Sequence, residues 1–186
     1  MNRYRLSSEQ SYVVVCTYAE GLLARLAHDL ELRWEGLRGA AHAAPDVKGG
    51  FATLELPLSA LRVAGVVSKG QVDRERLSEH EKAQILEKMH EEVFHVGVRG
   101  DGTVRIDATL EGSQAIVRIA PPNGPTVEAR VRVTVQQSEK TARVAGAVSL
   151  SLARLGSSAI KGPMNAFRVK DSVDVSFELA FVPLPP

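Results

Sequence analysis

The sequence predicts a mainly β protein, an antiparallel barrel of about eight strands with one amphipathic helix packed against it. Three features of the chain predict this fold. Apolar and polar residues alternate in several segments, turn-forming residues separate these segments, and one stretch instead repeats apolar residues at helical spacing. The chain has 186 residues and neither internal repeats nor a long linker, so we expect a single domain over residues 1–186.

Alternation by two is the strongest signal in the sequence. It places one set of side chains on each face of a strand. Antiparallel sheets with one face in water have this pattern, whereas strands of parallel sheets are apolar on both faces. The alternating segments are 127–135, 144–152 and 173–181, and, more weakly, 30–35, 54–58 and 104–110.

Turn-forming residues lie between the alternating segments. The Asp101-Gly102 pair predicts a hairpin between two candidate strands. The proline-rich run 121–125 ends a strand, and the polar run 137–140 predicts the tip of a long hairpin between the two segments that flank it. The run 155–164 contains glycine and proline and predicts an irregular connection.

One segment has helical rather than strand periodicity. Residues Asp73–Phe94 are rich in Glu, Lys and Leu, and Ile85, Met89 and Val93 share one face at helical spacing. We expect this helix to lie across the sheet with its charged face in water; recognition of a partner by that face is the alternative. A second, shorter helical turn is predicted over residues 19–26.

Composition and charge exclude several partners. Lys and Arg number 23 and Asp and Glu number 22, so a net charge of +1 offers no field for nucleic acid or anionic membranes. No apolar run reaches the roughly 18 residues of a membrane span. Because the N-terminus has no apolar segment with a cleavage site, a cytoplasmic location is expected. The lone Cys16 excludes an internal disulfide and a cysteine-based zinc site.

Catalytic and metal-binding motifs are weak, so the sequence predicts a protein that is not an enzyme, without metal or cofactor. His90 and His95 are five residues apart, whereas a helical zinc pair needs four. The His28-Asp29 pair is expected to be structural, because neighbours in a strand point to opposite faces. The Ser-x-x-Lys match at 158–161 lacks the further motifs of penicillin-binding enzymes.

The inward faces of the predicted strands indicate a binding cavity. A small barrel holds either packed side chains or one small ligand. Aromatic residues are only 5% of the chain, and walls of Val, Leu and Ala favour an apolar cavity; the alternative is that these residues fill the barrel. The residues predicted to bind a ligand in the lumen are Val13, Val15, Leu54, Leu56, Val131, Val133, Val148, Leu150, Val175, Phe177 and Leu179.

The order of several short motifs resembles that of a known family. A first strand contains Tyr4, an apolar strand follows Ser11, and Asp171 precedes the last strand after the glycine-containing loop 155–165. Over about residues 4–182 the sequence resembles the YceI-like, polyisoprenoid-binding family, and residues 20–30 look like a divergent branch of it.

The resemblance implies a lipocalin-like extended barrel with a helix over one side and a tunnel for a long isoprenoid chain. Members are often secreted and dimeric, so a homodimer is a candidate assembly. The predicted function is a non-enzymatic carrier or sensor for an apolar, isoprenoid-like lipid, without nucleic acid or membrane insertion. The alternative is a filled barrel that binds a protein partner or dimerises, with no small-molecule ligand.

Overall fold

The computed structural model describes residues 1–21, 28–44, 49–138, 140–161 and 168–185. Within these ranges the chain is mainly antiparallel sheet, with one α-helix, α1 (Glu79–Glu92). The strands are β1 (Asn2–Leu6), β2 (Tyr12–Thr17), β3 (Ala19–Glu20), β4 (Asp29–Trp34), β5 (Arg38–Ala43), β6 (Gly49–Pro57), β7 (Leu61–Ser68), β8 (Gln71–Asp73), β9 (Thr103–Glu111), β10 (Gln114–Ala120), β11 (Val127–Gln137), β12 (Ala142–Ser151), β13 (Arg168–Val169) and β14 (Ser172–Pro183).

Eight of these strands close into a barrel. Their order is β1-β5-β6-β9-β10-β11-β12-β14, and β14 pairs back with β1. Strands β2, β4, β7 and β8 extend the same sheet from β14. The predicted mainly β fold, an antiparallel barrel of about eight strands with one helix, is confirmed.

The sheet branches at Ala180 of β14. One edge of β14 pairs with β2 up to Glu178 and with β1 from Phe181 onward. Between these pairings, the Ser7 amide donates to the Ala180 carbonyl at 2.8 Å, and the Ala180 amide donates to the Ser11 hydroxyl at 3.0 Å. The buried Ser11 side chain therefore supplies the acceptor that a continuous partner strand would have provided.

Two of the predicted turns are confirmed and one is wrong; the connection predicted over 155–164 is irregular as far as residue 160, and residues 162–164 lie outside the described residues. Residues 121–125 separate β10 from β11, and of the run 137–140 the described residues 138 and 140 lie between the paired strands β11 and β12, whose last pair is Gln137 with Ala142. The Asp101-Gly102 pair is not a hairpin, because the segment before it is a loop that follows α1. A hairpin occurs instead between β9 and β10, where Gly112 has a φ of +63°.

The helix begins later than the sequence predicted. Ser78 caps it: the Glu81 amide donates to the Ser78 hydroxyl at 3.3 Å, and the Glu81 carboxylate accepts from the Ser78 amide at 2.8 Å. Residues 71–73 pair with β7 as β8, so they are unavailable to the helix. The helical turn predicted over 19–26 is wrong at Ala19–Glu20, which form β3, and residues 22–26 lie outside the described residues.

Candidate ligand-binding cavity

An apolar cavity of about 500 Å³ occupies the interior of the barrel. Ligand sites for small molecules commonly measure about 300–1,000 Å³, so its size suits one ligand. Aliphatic side chains from both the closed barrel and its extension line it, together with the apolar face of α1.

The cavity wall extends along the length of β14, and we refer to this cavity as the channel. Alternate residues of β14, from Val173 to Phe181, line it continuously. The first and last of these residues are eight steps apart, which is about 26 Å at roughly 3.3 Å per step. A volume of about 500 Å³ distributed over such a length suits a linear chain better than a compact ligand.

The period-two pattern produces this lining. Along β14, Val175 and Leu179 face the cavity, while the residue before each of them, Asp174 and Glu178, forms hydrogen bonds on the outer side of the sheet. All eleven residues predicted for the lumen lie in the cavity wall. Their contact with a ligand remains a prediction.

Several inward-facing residues are only half-buried. Val148 and Leu150 are examples, whereas Val131 in the same wall is 2% exposed. If these side chains packed against the opposite wall and filled the barrel, they would be close-packed and buried. Their remaining exposure instead reflects the cavity that they border, so the structure favours the open lumen over the filled one.

A row of paired residues crosses five neighbouring strands, and four of its five members line the channel. Val133, Gly146, Phe177, Val13 and Trp34 are successive register partners on five neighbouring strands. A Cβ atom on Gly146 would lie 2.7 Å from Cζ of Phe177. The aromatic ring therefore lies against the backbone of β12, in space that only a glycine leaves open.

Helix α1 forms part of the cavity wall. Ile85 and Met89 line the cavity, as does Phe94 just after the helix. The ring of Phe94 packs edge-to-face on Trp34, with centroids 6.1 Å apart. The indole N–H of Trp34 donates to the Pro57 carbonyl at 3.0 Å, which fixes the only tryptophan of the chain in the wall.

Charged side chains are rare in the cavity wall. Among the described residues, Lys88 and Lys161 line it, whereas no aspartate or glutamate does. Sequence reasoning missed both lysines, because Lys88 lies on a helix face that looks solvated and Lys161 lies in an irregular segment. The signal that could have found Lys88 is its position one residue before Met89, at the border of the apolar stripe.

The structure places His28 and Asp29 in different surroundings. The Asp29 carboxylate accepts the backbone N–H of Ala19 at 2.9 Å, whereas His28 lies at the cavity wall. Partial burial and the nearby carboxylates of Glu31 and Asp174 raise the pKa of the Cys16 thiol, which keeps it in the less nucleophilic neutral form.

Three side chains next to the cavity, Tyr18, Ser149 and Asp174, form a hydrogen-bonded cluster. The Tyr18 hydroxyl donates to the Asp174 carboxylate at 2.7 Å, and the Ser149 hydroxyl donates to the other oxygen at 2.5 Å. These bonds, from Ser149 and then from Tyr18, hold the pKa of Asp174 below its usual range. The same bond to Asp174 raises the pKa of Tyr18 to about 12.

The part of the chain that the structure describes contains neither a cluster of metal-ligating side chains nor a membrane-spanning helix. Its His, Cys, Asp and Glu side chains form no group of three or more that could hold a metal ion. No helix there is long and apolar enough to cross a membrane.

Comparison with known proteins identifies structural relatives of very low sequence identity. No protein-family model and no curated protein matches the chain. Its structure is similar to that of BcnA from Burkholderia cenocepacia, with a TM-score of 0.64 and 14% identity over 94% of this chain and 98% of that chain.

The structure is also similar to a polyisoprenoid binding domain from Saccharophagus degradans implicated in plant cell wall breakdown. That match has a TM-score of 0.61 and 10% identity over 99% of this chain and 100% of the domain. At these identities the matches show a shared fold. It is the lipocalin-like barrel that the resemblance to the YceI-like family implied.

Proposed function

We propose that this protein binds one linear apolar lipid, of isoprenoid-like character, inside the barrel and carries or senses it without chemical change. The observation that carries the proposal is the cavity of about 500 Å³, whose aliphatic wall extends along β14. The structural similarity to a polyisoprenoid binding domain supports the same class of ligand.

Affinity for such a ligand comes from burial of its methylene groups. Each buried CH₂ contributes about 0.8 kcal/mol, so ten of them contribute about 8 kcal/mol before the cost of association. Association costs at least about 4 kcal/mol, so about fifteen buried carbons are needed before the net free energy reaches the roughly 8 kcal/mol of micromolar binding. Selectivity then follows chain length and bulk more than directed polar contacts.

The direct test is native mass spectrometry of the protein purified from its own organism, followed by organic extraction. We expect a bound mass that extracts as a long-chain lipid. A protein isolated empty is next titrated with polyprenols of increasing length, for which we expect tighter binding as the chain grows. Failure of every polyprenol and fatty chain to bind would contradict the proposed function.

Two variants test whether the ligand occupies the lumen. Val133→Trp and Val148→Trp each place an indole where a small side chain lines the cavity, so we expect reduced lipid uptake with the fold retained. Arg130→Trp is a matched control because Arg130 is not part of the cavity wall and lies on the same strand as Val133. Unchanged lipid binding in both stable lumen variants would exclude the channel as the site.

A further inference from the structure

We propose that one rim of the cavity binds the anionic headgroup of the ligand, a carboxylate or a phosphate, through Lys88 and Lys161. We call this pair the lysine rim. The inference rests on the proposed function, because it assumes that an apolar chain enters the cavity. It adds a direction to that binding, with the headgroup at the lysine rim and the tail in the channel.

The backbone brings the two lysines to one place from distant parts of the chain. The Lys88 ammonium on α1 donates to the Lys161 carbonyl at 2.5 Å. Lys161 forms a bridge with Arg168 at the start of β13, and the neighbouring Val169 amide donates to the Ile160 carbonyl at 2.9 Å. The segment that carries Lys161 is therefore fixed against both α1 and β13.

The same site belongs to the cavity wall. Ala19 of β3 pairs with Val169 of β13, and both residues line the cavity together with Ile160 and the two lysines. A ligand whose tail lies between the apolar walls thus reaches the ammonium groups without leaving the cavity surface.

The charges around the rim favour an anion. No aspartate or glutamate belongs to the cavity wall among the described residues, so its ionised groups are cationic. Glu20 is already paired with Arg168 at 2.6 Å. Glu92 is 3.5 Å from the Lys88 ammonium and partly neutralises it, whereas the side chain of Lys161 is exposed and can swing toward a headgroup.

An oxyanion gains more from this site than a neutral hydroxyl. Hydrogen bonds between ionised partners are about twice as strong as neutral ones, and an ammonium beside apolar walls is screened less than one in bulk water. Lysine acts as a point charge without a preferred planar geometry. The site therefore accepts carboxylates and phosphates alike.

Three ligands with one chain separate the headgroup from the tail: oleate, oleyl phosphate and oleyl alcohol, titrated while Trp34 fluorescence is recorded. We expect both anions to bind at least about tenfold more tightly than the alcohol, with an advantage that shrinks as salt is added. In the Lys88→Gln/Lys161→Gln variant the anions should lose about tenfold in affinity, and the alcohol should be unaffected. Lys82→Gln is the control, because Lys82 lies on the same helix, pairs with Glu79 at 2.7 Å and is not part of the cavity wall.

The outcomes distinguish this inference from the proposed function. If none of the three ligands binds the wild-type protein, the proposed function fails. If all three bind equally and the double variant binds them as the wild type does, the cavity function stands and the headgroup site is wrong. If the double variant bound oleate and oleyl alcohol more weakly by the same factor, the headgroup site would also be wrong, since the lysines would then affect only binding of the tail. Should the double variant not fold, Lys161→Gln carries the same test at an exposed position.

Discussion

The contact between Gly146 and Phe177 makes the channel sensitive to a single methyl group. In Gly146→Ala the new Cβ would lie 2.7 Å from Cζ and 3.2 Å from Cε1 of Phe177, and 2.9 Å from the Arg132 carbonyl oxygen. Real Cβ atoms do not approach so closely, so the ring and part of the backbone must shift. Because the ring lies against the cavity wall, its displacement is expected to narrow the channel.

The size of the effect follows from two opposing contributions. Overpacking costs about 1–3 kcal/mol, whereas replacement of glycine by alanine stabilises by about 0.4–1 kcal/mol through the unfolded chain. We expect a net loss of about 1–2 kcal/mol in the free energy of unfolding. With an m-value near 2 kcal/mol per molar urea, the midpoint of urea unfolding should fall by about 0.5–1 M.

A double-mutant cycle with Phe177→Leu tests the cause. Leucine removes the outer ring atoms, so the double variant should be less destabilised than the two single losses together by about 1 kcal/mol. The contact with the Arg132 carbonyl persists in the double variant, so full recovery is not expected. Gly146→Ala with an unchanged or higher urea midpoint, or strict additivity of the two substitutions, would refute the packing argument.

Three further substitutions test other parts of the structure. Gly100→Ala places a side chain at a φ of +66° against the buried ring of His90, so a loss of about 2 kcal/mol should lower the Tm by about 4–8 °C; an unchanged Tm would contradict this. Asp174→Asn should bring the pKa of Tyr18 down from about 12 toward 10, seen as earlier tyrosinate absorbance. The raised pKa of Tyr18 stabilises the fold below pH 10, and this contribution is lost between about pH 10 and 12. The wild type should therefore lose, over that pH range, the part of its stability that it owes to this bond. Identical tyrosinate titration curves for the two proteins would exclude the Tyr18–Asp174 hydrogen bond. Ser78→Ala removes the helix cap and should cost about 1 kcal/mol with faster amide exchange at the start of α1, whereas exchange that is unchanged there would argue against the capping box.

The faces of the strands could be predicted from the sequence because alternation is a local property. Val131 and Val133 on β11, and Val175 and Leu179 on β14, are assigned to the lumen by period two alone, and the structure places them there. A shift by one residue would have moved every side chain of a strand to the opposite face. The residues that alternate with the apolar ones are polar, however, so only one face of each strand can point inward.

The way the sheet closes could not be predicted in the same manner. The change of partner on β14 at Ala180 depends on Ser7 and Ser11, about 170 residues earlier in the chain. The hairpin predicted at Asp101-Gly102 is wrong because contacts with residues distant in sequence fix this loop. The ring of His90 hydrogen-bonds the Val98 carbonyl, and Gly102 faces Pro122. Such contacts between distant residues leave no periodic signal.

The single tryptophan allows the most direct test of a chain inside the barrel. Trp34 is 6% exposed and lines the cavity, so a brominated fatty acid, which quenches fluorescence by contact, reports occupancy of the channel itself. We expect 9,10-dibromostearate to quench Trp34 fluorescence saturably, at one ligand per protein, and excess oleate to reverse the quenching. In Val133→Trp, after the emission of the added indole is subtracted, the quenching of Trp34 should be weaker. Binding of the brominated chain without quenching of Trp34 would place the ligand outside the barrel and contradict the account.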